Sequence, residues 1–272
     1  MRHLITDRLV CLLLPLTLMG MLLIFPATAK TAIDETLVLY LTFDEGRGDH
    51  LEDLSGNELH GENHGAKWVN GKYGTALQFS GQQSWVTVES HDLLNFGPGD
   101  SLTLEAWALI EGPPNGQGNI VAKYAVGAGT TPFYGMFHNA NNKARFYVRD
   151  AASAAAIEFS KADIADGEWH HFALVRDRDG ATKVRFYVDG ELEVEMDDPS
   201  QDLTNAVPLA IGRHTGEHLV GIVDEVVLWR RPLSAEEIET SMEGDILVNL
   251  LAVDAAGKLA TTWGLVKAGI RD

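Results

Sequence analysis

The chain has 272 residues, with 21 Lys and Arg against 39 Asp and Glu, and it contains one Cys. The formal net charge of −18 argues against a nucleic-acid partner, because a phosphate backbone binds to basic surfaces. A single Cys excludes a disulfide framework and every Cys-based zinc site, whereas the many carboxylates suit a hard cation such as calcium.

The N-terminus has the pattern of a secretory leader. Arg2 and Arg8 form a basic region, the stretch Leu9–Phe25 is almost continuously apolar, and Ala27–Ala29 supplies a small-x-small cleavage pattern. We therefore predict a signal peptide over residues 1–29 with cleavage after Ala29, and a protein that is secreted, periplasmic or at the cell surface. The alternative is an uncleaved anchor, but the apolar stretch is slightly short for a membrane span. We predict no membrane span after cleavage.

Beyond the leader, short alternating or β-branched runs recur about every ten residues and are separated by Gly, Asn and Asp. No amphipathic helices intervene, so the pattern predicts an all-β chain folded as an antiparallel two-sheet β-sandwich. The predicted strands are Leu37–Phe43, Thr75–Phe79, Trp85–Val88, Ser101–Ile110, Ala144–Val148, His170–Val175, Lys183–Val188, Leu192–Met196, Pro208–Ile211 and Leu219–Trp229.

Turn and cap signals add detail to this pattern. The Asp-Gly pairs at 179–180 and 189–190 predict two tight hairpins. Ser234 and Glu237 have the spacing of a capping box, which predicts one short helix over Ala235–Met242 near the C-terminal end.

A series of motifs then falls in a characteristic order along the chain. Together they resemble the laminin-G-like jelly-roll family of the concanavalin A-like lectin/glucanase superfamily. The motifs are Leu39–Gly46, Asp53–Asn57, Trp68–Phe79, Trp85–Val88, Leu102–Trp107, Gly167–Ala173, Phe186–Gly190, Ile211–Arg213, Gly221–Trp229 and Leu233–Ile238.

The resemblance covers about Thr36 to Met242, so we predict one jelly-roll domain over residues 30–244. It implies two antiparallel sheets stacked face to face, one of them concave, and it does not imply a single activity. Residues 245–272 form either a closing strand or a separate tail of unknown role.

Four oxygen-bearing side chains are candidates for a structural calcium site. Asp44 ends the first strand, Asp53 and Asn57 lie in the following loop, and Asp224 lies in the last long strand. The first and last strands of a jelly roll are commonly neighbours, so these distant residues can converge, and calcium takes six to eight oxygens. The resemblance also implies such a site. The alternative is that the Asp residues form turns or pair with Arg.

Glu191, Glu193 and Glu195 have the alternation that places three carboxylates on one strand face, as some glucanases of this superfamily do. The triplet starts directly after a tight turn, and Leu192 and Val194 supply the core-facing side. We therefore interpret it as a solvated strand face and predict no catalytic residues.

Two other signals are interpreted as structural. Trp107 lies in an apolar strand and is predicted to be a core residue. His170 and His171 are adjacent in a strand, so their side chains face opposite sides and cannot share a metal ion.

A candidate ligand face comes from two similar strands. Arg145 and Tyr147 in one strand, and Arg185 and Tyr187 in the other, alternate with apolar residues. A concave sheet that presents Tyr rings beside Arg can stack a sugar and bind its hydroxyl groups. The alternative is an ordinary hydrated outer face.

The sequence therefore predicts an exported, non-catalytic binding module that recognises carbohydrate or an extracellular or surface protein and is stabilised by calcium. One alternative is a glycoside hydrolase or polysaccharide lyase of the glucanase type. Another is a structural surface or assembly protein that docks through its tail.

Overall fold

A computed structural model describes residues 34–81, 83–111, 118–124, 131–139, 141–214, 217–244 and 246. The predicted leader and, apart from Ile246, the tail that starts at residue 245 lie outside the described residues. Among the described residues, no helix combines the length and apolar character needed to cross a membrane.

Strands dominate the described chain. They are β1 (Leu37–Leu41), β2 (His50–Leu51), β3 (Gly61–His64), β4 (Lys67–Asn70), β5 (Thr75–Ser80), β6 (Trp85–Val88), β7 (Leu102–Ile110), β8 (Gly118–Lys123), β9 (Phe133–His138), β10 (Lys143–Arg149), β11 (Ala155–Asp163), β12 (Trp169–Asp177), β13 (Lys183–Val188), β14 (Glu191–Asp197), β15 (Leu209–Ile211), β16 (Arg213–His214), β17 (Glu217–His218) and β18 (Val220–Trp229). A 3-10 turn covers Asp92–Leu94, and the helix α1 covers Ala235–Met242.

The strands form two large antiparallel sheets. The first sheet has the order β14-β13-β12-β7-β18-β5-β4, and β1 also pairs with β18. The second sheet has the order β11-β10-β9-β8-β15-β6-β3-β2, while β16 and β17 form a small separate hairpin. The predicted all-β, two-sheet jelly roll with one short helix near the C-terminus is confirmed.

The main core lies between the two sheets, and alternate residues of each strand supply it. Leu104 and Ala106 of β7 and Phe146 and Val148 of β10 are fully buried in this core. The same alternation sends the intervening side chains to the outer faces.

A second, smaller cluster covers the outer face of the first sheet beneath α1. Tyr187 and Trp229 pack there with Ile238 of the helix. The predicted capping box is present, because Ser234 Oγ accepts from the Glu237 amide and Glu237 Oε2 accepts from the Ser234 amide. This cap fixes the start of the helix, and the buried Ile238 holds the helix against the sheet.

The two Asp-Gly pairs behave differently. Asp189 and Gly190 both have positive φ, at 53° and 80°, and form the two-residue hairpin that joins β13 to β14. The pair at 179–180 lies within a longer connection between β12 and β13, in which the Gly180 amide donates to Asp177 Oδ1.

The first and last long strands are neighbours, as expected. Tyr40 of β1 is paired with Val227 of β18 in an antiparallel ladder. This pairing brings the end of β1 to the middle of β18, where Asp224 lies.

Candidate functional site

Asp44 and Asp224 meet at one turn. Asp44 Oδ1 accepts from the Thr75 amide at 3.0 Å, and Asp224 Oδ2 accepts from the Tyr73 amide at 3.0 Å. A side chain at Gly74, which has a φ of 57°, would collide with the Asp44 carboxylate. The glycine therefore allows the turn to pass directly against Asp44.

The electrostatics of this pair suit a cation. Asp224 is fully buried. Burial, with a smaller contribution from the negative charge of Asp44, raises the pKa of Asp224 to about 7. A hard divalent ion would neutralise both carboxylates, so the two residues fit calcium in donor type and in charge. Calcium at this turn stays a prediction.

Asp53 and Asn57 belong to a different network. The two Asp53 oxygens accept from the amides of Tyr40, Ser55 and Leu59 and from the Ser55 hydroxyl, at 2.8 to 3.0 Å. Asn57 Nδ2 donates to the carbonyl oxygens of residues 37 and 38 in β1. These bonds fasten the loop to β1, so the hydrogen bonding divides the four predicted ligands into two groups.

Arg145 and Tyr147 lie on the outer face of the second sheet. Their row on β10 continues to Arg149, while the intervening Phe146 and Val148 point into the core. We call this surface the aromatic face. Its partly or largely exposed members are Arg145, Tyr147, Arg149, Ile157 and Phe159, and the rings of Phe133 and Phe137 are buried beneath the arginines.

The aromatic face is held by ring contacts. The rings of Phe133 and Tyr147 meet edge to face with centroids 4.3 Å apart. The Arg145 guanidinium lies 5.1 Å from the Phe137 ring centroid and 6.0 Å from that of Tyr147. Cation–π contacts of this kind orient the guanidinium over the sheet.

The neighbouring strand β11 contributes exposed apolar groups to the same face. In the ladder, Phe159 lies opposite Arg145 and Ile157 lies opposite Tyr147. Phe159 is 39% exposed and Ile157 is 36% exposed. Large apolar side chains left in solvent beside aromatic rings and cations are typical of binding surfaces.

Arg185 and Tyr187 do not join this face, which corrects the expectation of one shared site. They lie on β13 in the first sheet, on the opposite side of the sandwich from β10. Tyr187 is only 5% exposed and packs in the cluster beneath α1. Arg185 forms ion pairs with Asp177 and Glu195. Matching short sequences, Arg-Phe-Tyr-Val in both strands, therefore occupy different sheets and different environments.

The Glu191, Glu193 and Glu195 triplet does not line one strand face. A register shift at Glu193 places Val194 opposite Phe186 and Leu192 opposite Tyr187, so the alternation is interrupted. Glu193 accepts from the amides of Lys161 and Ala162 on β11, and this links the edges of the two sheets. Leu192 is 47% exposed, so its predicted place in the core is wrong.

Sequence reasoning missed a buried polar cluster on the outer face of the first sheet. Glu105 is fully buried, and its Oε1 accepts from Trp229 Nε1 at 3.0 Å. His171 Nε2 lies 3.5 Å from Glu105 Oε2. Burial raises the pKa of Glu105 to about 7 and lowers the pKa of His171 to about 3. A charged residue inside the apolar run Leu102–Ile110 was the available signal.

A cleft of about 400 Å³ opens beside this cluster, between the β13–β14 turn and α1. Trp107 lines it, so this residue is buried on the outer face of the sheet and does not belong to the inter-sheet core. The Lys72 ammonium lies 4.0 Å above the Trp107 ring, and Asp189 and Glu239 are among the other lining residues. His170 instead contacts Asp166 and Asp189, so the two adjacent histidines do occupy different environments.

The comparison with protein families agrees with the fold. A laminin-G family model, described as the concanavalin A-like lectin/glucanases superfamily, matches residues 80–239. The chain belongs to this family. The resemblance predicted from the motifs is therefore confirmed. No curated protein matches this laminin-G-like chain.

Solved structures with the same fold include toxin and carbohydrate-binding domains. The binding domain of Paraclostridial Mosquitocidal Protein 1 has a TM-score of 0.64 at 15% identity, covering 78% of this chain and 53% of its own. The ligand-binding domain of botulinum neurotoxin serotype D, in complex with N-acetylneuraminic acid, has a TM-score of 0.61 at 14% identity. The match covers 78% of this chain and 52% of the toxin domain. This laminin-G-like chain spans about half the length of those toxin domains.

A further similar structure is domain 4 of AbnA, an extracellular arabinanase of Geobacillus stearothermophilus, in complex with arabinotriose. It has a TM-score of 0.55 at 16% identity and covers 75% of this chain and 97% of its own. At these identities the likeness concerns the fold.

Proposed function

We propose that this protein is an exported, non-catalytic carbohydrate-binding module and that its binding surface is the aromatic face of the second sheet. The observation that carries the proposal is the ladder pairing of Arg145 and Tyr147 with the exposed Phe159 and Ile157. Similar folds in solved structures carry N-acetylneuraminic acid and arabinotriose, which supports a glycan as the ligand class.

The chemistry of the aromatic face suits a sugar ring. The apolar face of a pyranose or furanose packs on aromatic and aliphatic surface such as Phe159 and Ile157. The planar guanidinium of Arg145 is a donor group of the kind that binds hydroxyl or carboxylate oxygens at a ring edge. A sheet face that combines both groups can therefore bind a sugar by stacking and by hydrogen bonds.

A non-catalytic role is supported by the positions of the acidic triplet. Glu193 bridges the two sheet edges and Glu195 is paired with Arg185, so these carboxylates serve structural contacts. Export rests on the leader pattern, and we propose that calcium at Asp44 and Asp224 stabilises the fold.

The test is a glycan array followed by titration of the strongest ligand. Tyr147→Ala and Phe159→Ala remove stacking surface and should each weaken binding at least fivefold, which corresponds to about 1 kcal/mol. The matched control is Leu192→Ala, which truncates an exposed apolar residue of the first sheet and should leave the affinity unchanged. Melting curves of all three variants check the fold.

Two results would contradict the proposal. Absence of saturable binding to any glycan by the folded protein would remove carbohydrate as the ligand class. Binding that survives both Tyr147→Ala and Phe159→Ala, or that is lost in Leu192→Ala, would remove the aromatic face as the site.

A further inference from the structure

A metal-binding arrangement lies on the hairpin formed by β2 and β3, at the opposite edge of the second sheet from the aromatic face. We propose that His50, Glu52 and His60, which we call the hairpin triad, bind a zinc ion through two imidazole nitrogens and one carboxylate oxygen. The cluster brings one ligating atom of each residue to within 4.8 Å of the others.

The strand register explains why these three side chains meet. His50 is paired with Glu62 and Leu51 with Gly61, so the next position of the ladder sets Glu52 opposite His60. His50 and Glu52 are two residues apart and therefore project to the same side. His50 thus lies in the ladder, while Glu52 directly follows β2 and His60 directly precedes β3, which pairs with β6 on its other side.

The distances are close to those of a coordinated ion. His50 Nε2 lies 3.2 Å from Glu52 Oε2, and His60 Nδ1 lies 3.8 Å from the same oxygen. Ligating atoms about 2.0–2.2 Å from a tetrahedral zinc ion are about 3.3 Å from one another. The side chains of His50 and Glu52 are 65% and 54% exposed, so an ion can reach both from solvent.

The hydrogen bonding defines the chemical state of one ligand. The Asp53 amide donates to His60 Nδ1 at 3.2 Å, so Nδ1 carries a lone pair. Zinc would use this lone pair in place of that long hydrogen bond, while a water molecule would complete the tetrahedron.

The local charge favours a cation. In the described part of the chain, the ion pairs of Glu52 are with His50 and His60. Glu45 Oε1 accepts from the Glu52 amide at 2.7 Å, and the other oxygen of Glu45 is buried without a hydrogen-bond partner among the described residues. Two imidazoles with one carboxylate select zinc over calcium, because calcium prefers oxygen ligands.

The experiment uses the untagged mature chain, freed of metal by dialysis against chelator, and titrates zinc chloride against a competing chromophoric chelator. We expect one zinc ion per chain, and at least tenfold weaker binding in His60→Gln and in Glu52→Gln. His64→Gln is the matched control, because His64 lies on the same hairpin with its Nε2 bonded to Thr87 Oγ1, and it should bind zinc like the wild type.

A cobalt titration gives a second readout that a change in stability alone would not produce. Cobalt bound by the wild type should show the intense visible absorption of a tetrahedral site, and both triad variants should lose it. The proposal is overturned if the wild type binds no zinc saturably, if the triad variants keep the wild-type affinity, or if excess calcium displaces the zinc.

Discussion

The variant Glu105→Gln tests whether burial beneath α1 raises the pKa of the Glu105 carboxyl group and so favours its neutral form. In the native protein the Glu105 side chain is fully buried and bonded to Trp229 Nε1, and its pKa is raised to about 7 from an ordinary value of 4.5. A glutamine has the same shape, keeps an oxygen for Trp229 and carries no charge at any pH. The variant therefore isolates the effect of ionising this one buried group.

The magnitude follows from proton linkage. An acid whose pKa is raised by folding binds its proton more tightly in the native state, so its contribution to stability is present below pH 4.5 and is lost as the pH rises through 7. A shift of about 2.5 pKa units corresponds to a loss of about 3 kcal/mol in the free energy of unfolding.

The assay is urea unfolding of both proteins, followed by tryptophan fluorescence, at pH 4.5 and at pH 8. The difference in unfolding free energy between Glu105→Gln and wild type should favour the variant more at pH 8 than at pH 4.5, by about 3 kcal/mol. Other titrating groups are common to both proteins and cancel in this difference. A difference that stays constant over this range would refute the raised pKa.

Three further predictions concern stability. Chelation of calcium should lower the melting temperature of the wild type by mass action, and it should leave the melting temperature of Asp224→Asn unchanged. Asp53→Asn should be less stable than the wild type with and without calcium, because Asp53 accepts four hydrogen bonds from its own loop and β1. A chelator effect that persists in Asp224→Asn would contradict the assignment. Arg176→Met should lower the free energy of unfolding in urea by about 3 kcal/mol, because Arg176 and Asp198 form a fully buried ion pair. A decrease of less than about 1 kcal/mol would contradict this expectation.

Local patterns were sufficient for part of the fold. Alternation identified β10 and β13, the capping box gave α1 its observed bounds, and the 189–190 pair gave a true two-residue hairpin. The strands β8 and β9 were missed because both are buried along their whole length, so they show no alternation of polar and apolar residues.

The sites depended on long-range pairing, which local patterns do not contain. β10 and β13 share the sequence Arg-Phe-Tyr-Val, yet their partners place them in opposite sheets. The pairing of β1 with β18 was expected from the fold, so the approach of Asp44 and Asp224 to one turn could be anticipated. The bulge at Glu193 arises from ladder register, and the hairpin triad meets where β2 ends beside the start of β3.

The most direct test of the central claim is an NMR titration of the isotope-labelled protein with the strongest ligand from the glycan array. The account predicts that the shifted amide signals cluster on β10 and β11, around Tyr147 and Phe159. Shifts confined to the first sheet, around the cleft at Trp107, would contradict it.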